Sequence, residues 1–216
     1  MRPVVELVET RRKARASVFE ILTVCTGNIC RSPLAELLLR ASLQPLDVEV
    51  SSAGTRGFAG AAMTPEAIDL AVGLGIDRDE AAAHRSRYLT ESHLDEPDLI
   101  LAMTRAHRRE IVELAPARTR STFTIREFAR LAADLPEDEL RRAATGAGAD
   151  ASDRVRAVSA LVASRRGLVL PPENPDDDDV VDPYGRSLET YELSAAQLSP
   201  AVAEVVRTLR LAVAED

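Results

Sequence analysis

The sequence predicts an α/β fold built on a parallel sheet with flanking helices. Short, fully apolar strand candidates alternate with segments of helical spacing. The turns after those strands are polar, as the ligand-facing ends of such a sheet require. At 216 residues and 45% hydrophobic composition the chain is long enough for one large domain with a sizeable core.

Residues 1–17 read as a charged N-terminal extension, and residues 18–216 as a single domain. The first strand is Val18–Val24, apolar enough to be buried on both faces. It runs into the polar loop CTGNICRS, and Pro33–Leu43 then carries helical apolar spacing, with Pro33 in the first turn, where its missing N–H costs nothing. Val48–Ala53 is the second strand, ending in SSAGT. Thr64, Pro65 and Glu66 open a helix that closes near Leu74 at Gly73 and Gly75. Leu99–Met103 is the third strand, followed by a helix over Arg105–Leu114, and Thr122–Ile125 is a short fourth. Cys25, Ser52 and Thr104 all fall at the carboxyl ends of strands.

The stretch of about 126–166 is rich in Ala, Arg and Glu and reads as a helical insertion, broken at Pro136 and at Thr145–Asp150. An acidic, proline-rich loop follows at about 171–186, in which Asp176–Asp179 read as solvated charge. Ser187–Ala214 is helical, with a break near Ser199–Pro200 left open.

Composition excludes several classes. The net charge of −8 argues against a general nucleic-acid binder. No run approaches the roughly 20 apolar residues of a membrane span, and residues 1–17 lack the pattern of a secretory signal. Cys25 and Cys30 are the only cysteines, too few for a disulfide framework, and are expected as thiols in a reducing cytoplasm. Many Arg and Ala beside a single lysine, Lys13, point to a GC-rich bacterial source. No Cys/His/Asp spacing suits a zinc site, so no metal is expected. His84 reads as a hydrogen-bonded structural residue; His93 and His107 read as surface residues.

The chemistry is concentrated in the first loop. Cys25 and Arg31 form a Cys-x5-Arg arrangement followed by Ser32. Five intervening residues (Thr26, Gly27, Asn28, Ile29 and Cys30) can curl so that their N–H groups converge on an anion. Arg31 closes the ring with a planar fork for two oxygens. The helix that follows adds its positive end, which favours a thiolate; cysteines at helix N-termini titrate at about 3.5–7.5 instead of about 8.5. Ser32 is placed to donate to that thiolate, and Gly27 to adopt backbone angles closed to other residues. Cys30 has two readings of equal weight, a small residue facing the core or a redox partner that traps an oxidised Cys25.

CTGNICRSP at Cys25–Pro33 resembles the phosphate-binding loop of the low-molecular-weight protein tyrosine phosphatases. The match continues in order with SAGT at Ser52–Thr55, HRSR at His84–Arg87, DLILAMT at Asp98–Thr104 and DPYG at Asp182–Gly185. The resemblance implies an open four-stranded parallel sheet of flavodoxin-like type and a cofactor-independent phosphatase acting on phosphorylated protein, most directly on phosphotyrosine. It implies Cys25 as nucleophile, Arg31 as phosphate clamp, Ser32 as thiolate stabiliser and Asp182 as general acid, with Asn28, Ser52 and His84 holding the loop in shape. A carboxylic acid at Asp182 suits a phenolate leaving group, which needs a proton in the transition state; such a proton is worth about 10²–10⁴-fold. Phe58 and Tyr184 are the expected cleft walls around a phenyl ring. Ile29 stands where related phosphoarginine phosphatases tend to carry Thr, and its apolar side chain favours phosphotyrosine. The alternatives are a phosphoarginine phosphatase, an arsenate reductase and a non-catalytic phosphate-binding protein. Arsenate chemistry normally recruits further cysteines, and no third cysteine exists. The extension, the helical insertion and the acidic loop depart from the family pattern and bear on partners and access. The sequence leaves oligomeric state open.

Overall fold

The computed structural model describes residues 18–57 and 59–214. The expected N-terminal extension and Phe58 lie outside them. The architecture is a four-stranded parallel sheet of order β2-β1-β3-β4, with β1 at Phe19–Cys25, β2 at Val48–Gly54, β3 at Leu99–Ala102 and β4 at Thr122–Thr124. Period-2 alternation buries both faces. Ile21, Leu99 and Leu101 enter the larger core layer, whereas Leu22, Val24, Ile100 and Ala102 enter a smaller one with Leu89, Leu94 and Ile111.

Strand β1 leads into helix α1 (Arg31–Leu43), which returns to β2 on one side; β3 then pairs on the other side. The chain order therefore reverses at β1, and the crevice of a doubly wound sheet opens at its carboxyl end, where Cys25 is the last residue. Helix α2 (Pro65–Gly73) is capped by Thr64, whose side chain accepts from Ala67 N, as its opening residues predict. A short helix α3 (Arg78–Ala83), not expected from the sequence, is nucleated by Asp77, whose side chain accepts from the N–H groups of Asp79 and Glu80. Helix α4 (Arg105–Leu114) follows β3 with Thr104 as its cap.

The fourth strand is shorter than its expected span, because Thr124 and Glu127 form a capping box that starts helix α5 (Ile125–Ala133) at once. Pro136 starts α6 (Glu137–Gly146), and Asp150 caps α7 (Ala151–Ser164). These helices share one layer with the last, α8 (Leu188–Val213). Phe128 of α5 meets Phe123 of β4 edge to face at 5.2 Å. Arg166, just beyond α7, stacks 4.1 Å from the Phe123 ring and pairs with Glu127. Buried Asp98 ties α7 to the amino end of the sheet, accepting from Glu20 N, Ser152 Oγ and Arg156 Nε at 2.9, 2.7 and 2.6 Å. Helix α8 runs unbroken through Pro200, against the break left open at Ser199–Pro200. Its buried Leu198, Ala201, Val202 and Val205 carry the packing across the lost backbone bond. Among the described residues no helix is long and apolar enough to cross a membrane.

Candidate active site

The loop between β1 and α1 is a cup with the Cys25 sulfur at its floor. Cys25 is 2% exposed, yet its sulfur does not sit in a wholly apolar shell. Asn28 N donates to Sγ at 3.2 Å, and Ser32 Oγ lies 3.1 Å away. Ser32 Oγ itself accepts from Asn28 Nδ2 at 2.9 Å. A thiolate can only accept, so the hydroxyl proton of Ser32 is directed at the sulfur when Cys25 is ionised. Helix α1 begins at Arg31 with no side-chain cap and no acidic residue in its first turn. Its positive end is therefore left to whatever anion occupies the cup.

Asn28 is the hub of the loop. It takes φ +54°, the left-handed region that asparagine tolerates better than most residues. The sequence placed that freedom on Gly27, but Gly27 keeps ordinary φ and the twist falls one residue later. The cost is offset by bonds on every polar atom of the side chain. Nδ2 donates to Ser32 and, at 2.7 Å, to Ser52 Oγ; Oδ1 accepts from Arg87 N at 2.8 Å. The backbone carbonyl of Asn28 accepts from His84 Nε2 at 2.8 Å, which fixes the proton on that nitrogen. Burial holds His84 below the ordinary histidine pKa, against the opposing pull of Asn28 and Glu36. Ser52 Oγ donates to the Glu36 carboxylate, which also pairs with Arg40. Gly54 is required behind the loop, because a Cβ there would stand 2.7 Å from Thr26 O and 2.9 Å from Arg56 O.

Arg31 is 4% exposed and spans the cup mouth. Nη1 donates to Val180 O at 3.0 Å and Nη2 to Thr26 Oγ1 at 3.4 Å, while Nη2 lies 2.6 Å from Asp182 Oδ2. Nε is buried without a hydrogen-bond partner among the described residues. Arg31 itself lines the cavity over Cys25, so its guanidinium is a cation placed beside the sulfur. Asp182 is anchored by the turn that DPYG forms, with Arg186 N bonded to Pro183 O and Gly185 at φ +69°. Cys25, Thr26, Gly27, Ile29, Arg31 and Asp182 line one cavity of about 290 Å³, which Tyr184 borders while remaining 64% exposed.

Several placements differ from the sequence reading. His107 is not a surface residue: it is buried, with Nε2 2.8 Å from Thr26 Oγ1 and Nδ1 2.9 Å from Thr104 Oγ1. Burial, then Arg31 and Arg56, push its pKa down to about 4. Asp176, Asp178 and Asp179 are not free solvated charges. Arg130 grips Asp178 at 2.8 and 3.1 Å, and Arg105 reaches Asp176 at 2.6 Å and Asp179 N-terminally through its backbone N–H at 2.7 Å. Cys30 packs into the core within 3.5 Å of Thr64 Oγ1 and 3.7 Å of Tyr191 OH, and burial pushes its thiol up. Both cysteines are free thiols.

Sequence reasoning gives no site role to Glu36, Arg87 or His107. A signal existed for Glu36, a carboxylate on one helix face with Ser32 four residues before it and Arg40 four residues after. Another existed for His107, three residues after a cap threonine.

Comparison with known proteins places this geometry. The family described as low molecular weight phosphotyrosine protein phosphatase matches residues 20–140. A probable low molecular weight protein-tyrosine-phosphatase, EpsP of Ralstonia solanacearum, is 42% identical over 116 residues, 54% of this chain and 77% of that protein. A protein-arginine-phosphatase of Geobacillus stearothermophilus is 42% identical over 110 residues, 51% of this chain and 71% of its own. The solved structure of the YwlE arginine phosphatase from Geobacillus stearothermophilus superposes with a TM-score of 0.60 at 28% identity, covering 89% of this chain and 93% of that one. The low molecular weight protein tyrosine phosphatase from T. tengcongensis does so with a TM-score of 0.60 at 30% identity, covering 88% and 98%. The chain belongs to the low molecular weight phosphotyrosine protein phosphatase family, a family of hydrolases.

Proposed function

We propose that this enzyme hydrolyses phosphotyrosine in proteins in two steps, with Cys25 as nucleophile, Arg31 as phosphate clamp and Asp182 as general acid and base. The observation that carries this reading is the meeting of the three groups in one cavity, with Arg31 Nη2 only 2.6 Å from Asp182 Oδ2. The phosphate dianion binds over the α1 N-terminus, and Arg31 turns its free N–H groups to two of the phosphate oxygens. The dianion displaces Asp182 from Arg31 and, lying beside it, favours the protonated carboxyl. The Cys25 thiolate attacks phosphorus, the bond to the tyrosine oxygen breaks, and Asp182 delivers its proton to that oxygen. In the second step Asp182 takes a proton from water as the water oxygen attacks phosphorus. The S–P bond breaks, inorganic phosphate forms, and the thiolate returns with Ser32 and Asn28 N–H donating to it.

Phosphotyrosine is favoured over phosphoarginine because Ile29 lines the cavity with carbon where a guanidinium would want a polar partner. Tyr184 at the rim offers a face to a phenyl ring. The test compares phosphotyrosine, phosphoserine and phosphoarginine peptides with native enzyme and Cys25→Ser. The reading expects phosphotyrosine turnover above the others and none in Cys25→Ser, which still binds vanadate. Preferred turnover of phosphoarginine would reassign the substrate, and undiminished activity of Cys25→Ser would remove the nucleophile.

A further inference from the structure

Beside the catalytic cavity lies a larger hollow of about 670 Å³. Thr26, Arg31, Arg56 and Asp182 line both. A polypeptide whose phosphoryl group lies over Cys25 can place a neighbouring residue in this hollow. The wall opposite the loop is the segment that precedes DPYG, together with Glu110 of α4 and Leu193 of α8.

The hollow is acidic after its internal pairs are discounted. Arg105 holds Asp176 and Asp179 from the flank, Arg56 lies 3.7 Å from Glu110, and Arg31 faces Asp182. Asp177 remains, exposed, with no ion pair or side-chain hydrogen bond among the described residues. The backbone that carries Asp177 is also held, with Asp177 N donating to Asn174 O at 2.9 Å. Arg130 grips Asp178, and Arg126 donates to Asp179 O at 2.8 Å, so the segment is fixed to α5 before any ligand arrives.

A second observation is independent of charge. Thr55 lines the hollow, is 8% exposed, and its Oγ1 has no hydrogen-bond partner among the described residues. Buried hydroxyls without partners are costly, and this one belongs to a residue of the hollow's wall. Leu193, half exposed, adds apolar surface of the kind against which the methylene stem of a long basic side chain packs.

We propose that this hollow is a subsite for an arginine or lysine of the substrate protein, close in sequence to its phosphorylated residue. The subsite rests on the phosphatase reading above and adds to it a substrate class, phosphotyrosine in a basic context. The segment that carries Asp177 is then a recognition element for the substrate.

The test measures kcat/KM on phosphotyrosine peptides in which arginine or glutamate is scanned along both flanks of an alanine background. Phenyl phosphate, too small to reach the hollow, serves as the control. At the best position arginine should raise kcat/KM about 3- to 10-fold over alanine, glutamate should lower it, and added salt should shrink the difference. Asp177→Lys should abolish or invert the preference, and Asp177→Asn should reduce it, with phenyl phosphate turnover unchanged in both. Equal rates on the arginine and alanine peptides, with phenyl phosphate still hydrolysed, would overturn the subsite and leave the phosphatase reading standing. An arginine preference that persists in Asp177→Lys would overturn it equally. Absence of phenyl phosphate turnover in the native enzyme would overturn the phosphatase reading, and the subsite with it.

Discussion

Protonation of His107 tests the support of the catalytic loop with a number attached. The imidazole is buried between Thr26 of the loop and Thr104 at the head of α4, and its pKa lies at about 4 instead of 6.5. A neutral ring donates through one nitrogen and accepts through the other; an imidazolium placed beside Arg31 and Arg56 adds a third cation in a buried place. The unfolded chain takes up its proton near pH 6.5 and the folded chain only near pH 4, so the unfolded state binds more protons between them. Stability is therefore fully present above pH 6.5 and is lost as pH falls toward 4. At about 1.36 kcal/mol per pH unit, that interval corresponds to a loss of about 3 kcal/mol by its lower end. The assay is urea unfolding of native protein and His107→Gln across this range, with a histidine NMR titration alongside. Carboxylates titrate in both proteins and cancel in the difference. The difference should move by about 3 kcal/mol in favour of the glutamine variant as the pH is lowered, and the His107 resonance should titrate near pH 4. Parallel pH profiles, or a titration midpoint at the ordinary histidine value, would refute the reasoning.

Asn28→Ala removes a side chain bonded to Ser32, Ser52 and Arg87 while leaving a non-glycine residue at φ +54°. It should destabilise the fold by about 2–4 kcal/mol in denaturant unfolding and lower phenyl phosphate turnover by more than about 10-fold, since the donors on the sulfur move with it. Asp182→Ala should slow a substrate with a poor leaving group by about 10²–10⁴-fold and one with a good leaving group far less; equal slowing would remove the acid role. Phe128→Ala opens a cavity against Phe123 in the wholly buried α5–β4 contact. It should cost about 3–5 kcal/mol by thermal or urea unfolding, with the surviving folded fraction retaining its kcat.

The alternation of apolar strands and amphipathic helices made the sheet legible, because a strand buried on both faces has few other readings. The cup was legible because a thiol, five loop residues and an arginine must be contiguous to surround one anion. What escaped was set by contacts distant in sequence. His107 sits on a polar helix, and one of the groups that enclose it, Thr26, lies 81 residues away. Asp176–Asp179 look like a solvated run until Arg105 and Arg130 meet them from α4 and α5. Glycine is the usual occupant of a left-handed turn and points to Gly27; Asn28 takes it instead because its side chain is bonded at both polar atoms. Pro200 reads as a break by local rules, yet the apolar face of α8 on both sides of it outweighs one lost backbone bond.

The central claim is that the thiolate at the cup floor takes the phosphoryl group before water does. Rapid acid quench of a turnover mixture with phenyl phosphate, followed by mass spectrometry of the proteolysed chain, measures this directly. The account predicts a single transient phosphoryl adduct on the peptide carrying Cys25, accumulating further in Asp182→Ala as its hydrolysis slows. Turnover with no adduct on that peptide, or with the phosphoryl group on another residue, would contradict it.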